Sequence, residues 1–255
     1  MIPKIIHLCW LSGDPYPRKI QFCIDTWKKL CPDYDIMLWD TNRFDVNSMP
    51  WVKQAFDAKK YAFAADYIRL YAVYNYGGIY LDSDVEVLKS FDDVLDLPYF
   101  VCQEIGPGGL ELAAFGAEQG MSWVKTAMDW YEKRDFIKED GSMQLEVQPL
   151  IMKHFLSETY QWTLISEKEE VVREDDKLCV LPCDWFNAHP FCDKKGDGVI
   201  YPVTKNTHCI HHYAGQWREI KSGPIHSLLS KLFNINWINQ RVNERVHLYG
   251  KFYKV

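Results

Sequence analysis

The stretch NYGGIYLDSDVEVL, residues 75–88, combines a double glycine, a short apolar run and two nearby carboxylates. Gly77 and Gly78 end a helical pattern, and the apolar residues after them predict a buried strand. Alternation along that strand places Asp82 and Asp84 on one face, about 7 Å apart. Carboxylates this close repel each other unless a cation or hydrogen-bond donors lie between them. A bound divalent cation would remove the repulsion.

Strand and helix patterns alternate around this stretch. Strands are predicted over residues 4–10, 34–40 and within 75–88, and helices over residues 17–30 and 61–76. This alternation is typical of an α/β fold, in which helices cover a central sheet. Further on, the patterns predict strands at residues 99–104 and 178–182 and helices at residues 123–134 and 148–158.

The composition excludes several classes of protein. The 255 residues carry a net charge of −6, which argues against a nucleic-acid partner. No export signal is recognised, and no apolar run of about 18 residues predicts a transmembrane helix. Eight scattered cysteines are then expected to be reduced thiols in a cytoplasmic protein. The alternative of a zinc site is weak because the spacing fits no usual ligand pattern for Cys179, Cys183, His189 and Cys192.

The helix predicted over residues 61–76 is apolar on nearly every face but carries two charges. Asp66 and Arg69 are three positions apart and therefore share a face. They form either an internal ion pair or a pair that also contacts a ligand, because arginine donates to phosphate or carbonyl oxygens and aspartate accepts from hydroxyls. Both interpretations stay open at this point.

The carboxylates of Asp82 and Asp84 suit Mg²⁺ or Mn²⁺, hard cations that keep coordination positions open for substrate phosphates. Their place at the end of a strand also fits, since ligands of α/β sheets bind beyond the carboxyl ends of strands. The alternative is a strand end where one aspartate merely caps a turn.

Three histidines lie close together in THCIHHYAGQW, residues 207–217. This segment predicts a short apolar strand followed by a turn that contains glycine. Alternation along a strand puts at most two of the three imidazoles on one face. An imidazole often completes a metal site that carboxylates begin. We expect one metal ligand and otherwise structural roles among His208, His211 and His212.

The segments IPKIIHLCW, AADYIRLYAVYNYGGIYLDSD and IHHYAGQW occur in this order and together resemble the signatures of glycosyltransferase family 32. This family has a sugar-binding region containing a DXD motif. It is similar to bacterial polysaccharide and lipooligosaccharide glycosyltransferases and to the catalytic domains of large glucosylating toxins. The resemblance implies a single α/β domain of the GT-A type, with a mixed central sheet, over residues 1–220. It also implies a nucleotide-sugar donor, usually a UDP-sugar, and Mn²⁺ or Mg²⁺ as cofactor.

The resemblance also implies a role for each matched residue. The uracil base would stack on Trp10, beside the backbone of Ile6, His7 and Leu8. Asp66 and Arg69 would contact the donor sugar. Asp82 would reach the ribose and the metal, Asp84 would bind the metal, His212 would be the third metal ligand, and Gly215 and Trp217 would hold the diphosphate.

The resemblance further implies transfer with retention of configuration, which raises the question of a nucleophile. Candidates near the reacting centre are Gln103, Glu104, Glu146 and Gln148, of which Gln148, at a helix start, is preferred. The expected function is transfer of a sugar from a UDP-sugar to a glycan, such as a capsular polysaccharide, lipooligosaccharide or lipid-linked oligosaccharide. Two alternatives stay open: a catalytically silent nucleotide-sugar-binding protein, and a metal-dependent nucleotide-sugar phosphohydrolase.

Residues 221–255 carry six Lys or Arg and one Glu, a net charge of +5 in a chain of net charge −6. Aliphatic and aromatic residues lie among these cations, which predicts an amphipathic helical segment. The segment either packs on the catalytic domain or lies on the anionic inner face of the cytoplasmic membrane. The second interpretation would bring the enzyme to a glycolipid acceptor.

Overall fold

The computed structural model describes residues 1–104, 109–188 and 202–213. The segment 221–255 lies outside these residues. None of the helices in the described ranges has both the length and the hydropathy needed to cross a bilayer. The helices are α1 (Arg18–Leu30), α2 (Pro50–Asp57), α3 (Tyr61–Tyr76), α4 (Ser122–Glu132) and α5 (Gln148–Ser157). The strands are β1 (Ile5–Cys9), β2 (Asp35–Trp39), β3 (Gly78–Leu81), β4 (Val85–Val87), β5 (Tyr99–Gln103), β6 (Leu110–Ala117), β7 (Gln161–Leu164), β8 (Lys177–Val180) and β9 (Cys209–His211).

A five-stranded mixed sheet with the strand order β2-β1-β3-β6-β5 forms the centre of the fold. Strand β1 runs parallel to β2 and β3, whereas β6 runs antiparallel to β3 and β5. Two small sheets accompany it, an antiparallel pair β4-β9 and a parallel pair β7-β8. The α/β domain with a mixed central sheet that the sequence predicts is therefore confirmed.

The helix predicted over residues 61–76 agrees with α3 residue for residue. The continuous strand predicted within residues 75–88 is wrong, because a turn divides it into β3 and β4. The amide of Val85 donates to the carbonyl of Asp82 at 2.9 Å, which closes the turn. Asp82 and Asp84 are thus neighbours across a turn, and their proximity does not come from strand alternation.

Strand β3 begins with a glycine because it approaches β1 very closely. Gly78 has a φ of +101°, and a Cβ atom there would lie 2.7 Å from the carbonyl oxygen of Ile5. Only glycine combines this dihedral angle with this contact. Because β1 and β3 are parallel, the residues that follow them, Trp10 and Asp82, lie at the same edge of the sheet.

The side chain of His7 is part of the core beneath this edge. Its ring is fully buried. Nε1 of Trp39 donates to Nδ1 of His7 at 3.1 Å, so the proton of the neutral ring is on Nε2, which donates to the carbonyl of Gly77 at 2.7 Å. Burial lowers the pKa of His7 to about 4. The imidazole therefore stabilises the fold in its neutral form.

This burial predicts a pH dependence of stability. The pKa of His7 is lower in the folded chain than in the unfolded one, so the unfolded state binds more protons and stability is lost as the pH falls. From about pH 7.5 to about pH 5, His7 should reduce the free energy of unfolding by about 2 kcal/mol. Urea unfolding of the wild type and His7→Gln at both pH values measures this contribution. An equal loss in the two proteins would contradict it.

Candidate functional site

Arg69 lies at the centre of a buried ionic network at the sheet edge. Its Nη2 is 3.1 Å from Oδ1 of Asp66 and 3.2 Å from Oδ1 of Asp82. Its Nη1 donates to the carbonyl of Leu112 at 2.9 Å, and its guanidinium group lies 4.8 Å from the ring centroid of Tyr80. The Arg69 side chain is only 8% exposed. Its donors are directed at protein oxygens, so Arg69 connects the helix to the Asp82 turn.

This network contains an internal ion pair, which was one of the two interpretations of the charged pair on the helix. Asp66 and Arg69 do form an ion pair, as their spacing predicts. The same guanidinium also binds Asp82, a contact that helical spacing could not reveal. Tyr80 donates its hydroxyl to Oδ1 of Asp82 at 2.8 Å, so the orientation of this carboxylate is fixed from two sides. Burial raises the pKa of Asp82, and Arg69 opposes this shift.

Asp82, Asp84 and His211 form a compact cluster of possible metal ligands. Their ligand atoms all lie within 4.8 Å of one another. Nε2 of His211 is 3.4 Å from Oδ1 of Asp84 and 4.0 Å from Oδ2 of Asp82. Among the residues that the structure describes, this is the one group of three His, Cys, Asp or Glu side chains close enough to hold a cation. Two carboxylates and an imidazole suit Mn²⁺ or Mg²⁺.

The structure places His211 beside the two aspartates, whereas the family resemblance implies His212 as the third metal ligand. Strand β9 pairs antiparallel with β4, with His211 opposite Val85. Alternation then directs the side chain of His211, the last residue of β9, and that of the next residue, His212, to opposite sides. Nε2 of His212 lies 2.8 Å from Oε2 of Glu86. His208, the third histidine of the segment, is fully buried and contacts Asp93 through Nε2 at 2.8 Å.

Glu111, at the start of β6, lies at the site although no sequence motif indicates it. Its side chain is 3% exposed, and its Oε2 lies 3.7 Å from Nδ1 of His211. Burial lowers the pKa of His211, but the carboxylates of Asp84 and Glu111 outweigh burial and raise it to about 10. The run LELAAFGA, which contains Glu111, matches no motif and is not predicted as a strand. Glu111 reaches the site only because β6 pairs with β3.

The residues expected to bind the nucleotide are arranged around the end of β1. Trp10 is partly buried, its Nε1 donates to the carbonyl of Asp14 at 2.8 Å, and its ring packs edge-on against Tyr16 at 5.0 Å. The side chains of Ile6 and Leu8 are buried in the core. Gly215 and Trp217, expected at the diphosphate, lie outside the described residues.

Gln148 is placed behind Asp66. Its Nε2 donates to the backbone carbonyl of Asp66 at 2.8 Å and to the hydroxyl of Tyr131 at 3.0 Å. Its Oε1 is buried and makes no hydrogen bond within the described residues. Of the other candidates, Gln103 and Glu104 lie at the end of β5, while Glu146 is paired with Gln144.

The proposed alternative of a zinc site gains no support from the described residues. Cys179 and Cys183 are buried as free thiols, and Sγ of Cys179 contacts the carbonyl of Glu170. The other two members of the set, His189 and Cys192, lie outside the described residues. None of the seven cysteines in the described ranges forms a disulfide.

Residues 17–101 match the family model described as "Glycosyltransferase sugar-binding region containing DXD motif". The matched segment contains the ionic network and both carboxylates of the candidate metal site. This part of the chain is therefore similar to DXD-type sugar-binding regions, and the family resemblance inferred from the sequence is confirmed.

Curated relatives match nearly half of the chain. Inositol phosphoceramide mannosyltransferase 3 of Schizosaccharomyces pombe is 33% identical over 126 residues, which cover 47% of this chain and 34% of the relative. Mannosyl phosphorylinositol ceramide synthase CSH1 of Saccharomyces cerevisiae is 32% identical over 124 residues, covering 46% of this chain and 32% of the relative. The match thus spans about a third of the length of these relatives.

Solved structures of glycosyltransferases are similar at low identity. The PaToxG glycosyltransferase is 19% identical, with a TM-score of 0.46 over 62% of this chain and 69% of that chain. The galactosyltransferase LgtC, solved with donor and acceptor sugar analogues, is 13% identical, with a TM-score of 0.44 over 89% of this chain and 94% of that chain.

The ionic network predicts that removing the positive charge of Arg69 destabilises the fold more than removing that of the exposed Lys53. Arg69→Met should lower the free energy of unfolding by about 3 to 5 kcal/mol, because it leaves two carboxylates buried without their partner. Lys53→Met, which removes an exposed pair with Asp57, should cost less than about 1 kcal/mol. Urea unfolding of both variants tests the difference. Equal losses would show that the buried network does not hold the turn in place.

Proposed function

We propose that the protein is a metal-dependent glycosyltransferase that moves a hexose from a nucleotide-sugar to a glycan or glycolipid acceptor. The observation that carries this proposal is the cluster of Asp82, Asp84 and His211 within and beside the matched DXD region. The cluster lies at the edge where β1 and β3 end, the usual ligand-binding edge of an α/β sheet. Its oxygen and nitrogen donors fit Mn²⁺ or Mg²⁺.

Each part of this edge has a distinct task in the proposed reaction. Trp10 offers an aromatic face to the nucleotide base. Asp82, Asp84 and His211 would hold the metal through two carboxylates and an imidazole. The metal, when bound, stabilises negative charge on the leaving nucleoside diphosphate. Arg69 keeps Asp82 in place, since its guanidinium is already engaged with protein oxygens.

The retaining course expected from the family resemblance is part of the proposal. Asp66 is the carboxylate that α3 contributes to the network, and its side chain is 13% exposed. We propose that Asp66 contacts the donor sugar. Gln148 fixes the backbone of Asp66 through a hydrogen bond, so we propose that it acts on the reacting centre by positioning this residue.

The names of the relatives support a proposal for the transferred sugar and the acceptor. An inositol phosphoceramide mannosyltransferase and a mannosyl phosphorylinositol ceramide synthase favour mannose as the sugar and an inositol phosphoceramide as the acceptor. A bacterial-type glycan acceptor and a UDP-linked hexose are the second candidate, from the family resemblance. Cytoplasmic location and membrane contact by residues 221–255 stay predictions.

Product analysis separates this proposal from the two alternatives. The protein is incubated with Mn²⁺ and a panel of mannosyl, glucosyl and galactosyl nucleotides, with and without a glycolipid acceptor. Nucleoside diphosphate together with glycosylated acceptor or free sugar supports a transferase. Sugar phosphate together with nucleoside monophosphate identifies a phosphohydrolase. Binding of a nucleotide-sugar without any product identifies a silent binding protein.

Removal of one metal ligand tests the site assignment. Asp84→Asn keeps the size of the side chain but removes its charge, and should reduce Mn²⁺-dependent nucleoside diphosphate release at least about 100-fold. Asp57→Asn, an exposed aspartate on α2, is the matched control and should leave the rate unchanged. Circular dichroism confirms that both variants fold. A folded Asp84→Asn protein with the wild-type rate would reject the site.

A second substitution tests the nucleotide position. Trp10→Ala should weaken binding of the free nucleoside diphosphate by about 1 to 3 kcal/mol, the usual contribution of a base stacked on an aromatic ring. Trp10→Phe retains an aromatic face and should recover most of the affinity. Isothermal titration calorimetry gives the dissociation constants. Unchanged affinity together with a lower melting temperature would assign Trp10 to the core alone.

A further inference from the structure

The adjacent histidines His211 and His212 each have a glutamate as a neighbour, Glu111 for His211 and Glu86 for His212. Nε2 of His211 faces Asp84 and Asp82, at 3.4 Å and 4.0 Å. Nε2 of His212, on the opposite side, lies 2.8 Å from Glu86. The opposite ring nitrogen of His211 therefore points away from the candidate metal site. The group next to that nitrogen determines which tautomer of the imidazole is favoured when Nε2 binds a cation.

Glu111 lies behind His211. Its Oε2 is 3.7 Å from Nδ1 of His211, an atom that is buried and makes no hydrogen bond within the described residues. A neutral imidazole carries one proton, so coordination through Nε2 places that proton on Nδ1. The proton then needs an acceptor in buried surroundings. A shift of less than about 1 Å would bring the Glu111 oxygen to hydrogen-bond distance.

Glu111 is itself held in a fixed orientation. The amide of Ala113 donates to Oε1 at 2.8 Å, and Nδ2 of Asn187 donates to Oε2 at 2.5 Å. The hydroxyl of Tyr213 donates to Oε2 at 3.3 Å. With a side chain that is 3% exposed, Glu111 is shielded from water, and these donors stabilise its negative charge in place.

We propose that Glu111 is the positioning residue of the metal site, which fixes His211 in the tautomer protonated on Nδ1 and presents Nε2 to the cation. A metal-bound histidine typically donates its other N–H group to a carboxylate or carbonyl, which orients the ring and raises its basicity. The proposal rests on the metal-dependent function proposed above. It assigns a function to Glu111, a buried carboxylate outside the DXD motif.

A matched pair of substitutions tests the role of Glu111. Mn²⁺ alone is titrated into the full chain, and free Mn²⁺ is followed by electron paramagnetic resonance. Glu111→Gln should weaken Mn²⁺ binding by about 10- to 100-fold. Glu86→Gln removes the corresponding charge beside His212 and should leave Mn²⁺ affinity within about twofold of the wild type, since it changes no proposed ligand or its support. Near-ultraviolet circular dichroism confirms that both variants are folded.

Nitrogen-15 NMR of the wild type with Mg²⁺ keeps the proposal testable if Glu111→Gln does not fold. The expected spectrum shows His211 protonated on Nδ1, and a ring protonated on Nε2 would overturn the proposal. If folded Glu111→Gln binds Mn²⁺ with wild-type affinity, the proposed role of Glu111 is rejected, but the metal-dependent function is not. Loss of affinity in Glu86→Gln instead would move the site to His212. Absence of Mn²⁺ binding by the wild type would reject the metal-dependent function as well.

Discussion

The buried guanidinium of Arg69 is the interaction on which the candidate site depends. It joins Asp66 on α3 to Asp82 in the turn after β3, and so connects the helix to the edge of the sheet. Without this cation, two carboxylates would face each other in a poorly solvated space, and their repulsion would oppose the turn. The network thus stabilises these acidic side chains at a buried position even when no metal is bound.

Three further segments meet at this edge because of the sheet topology. The turn between β3 and β4 places Asp84 beside Asp82, and the pairing of β9 with β4 places His211 against both. The start of β6, antiparallel to β3, brings Glu111 behind the imidazole. The ligand cluster is therefore assembled from chain segments that are remote in sequence, on a framework of backbone hydrogen bonds.

Local patterns predicted the parts of this arrangement that depend on neighbouring residues. Helix α3, its end at Gly77 and the two aspartates all follow from spacing within a few turns of chain. The choice of His211 over His212 depends on the register of β9 against β4, which the sequence does not specify. Strand β6 was missed because alanine and glycine have low strand propensity, and helix α2 because it is only eight residues long.

The pairing of β9 with β4 also orders the events of assembly. A contact between residues so distant along the chain closes a large loop, and its entropic cost delays its formation relative to local contacts. His211 reaches the two aspartates only after most of the described chain has been synthesised. A cation bound by all three side chains would therefore not nucleate folding. It would bind to a framework that the apolar contacts of the central sheet and its helices have already formed.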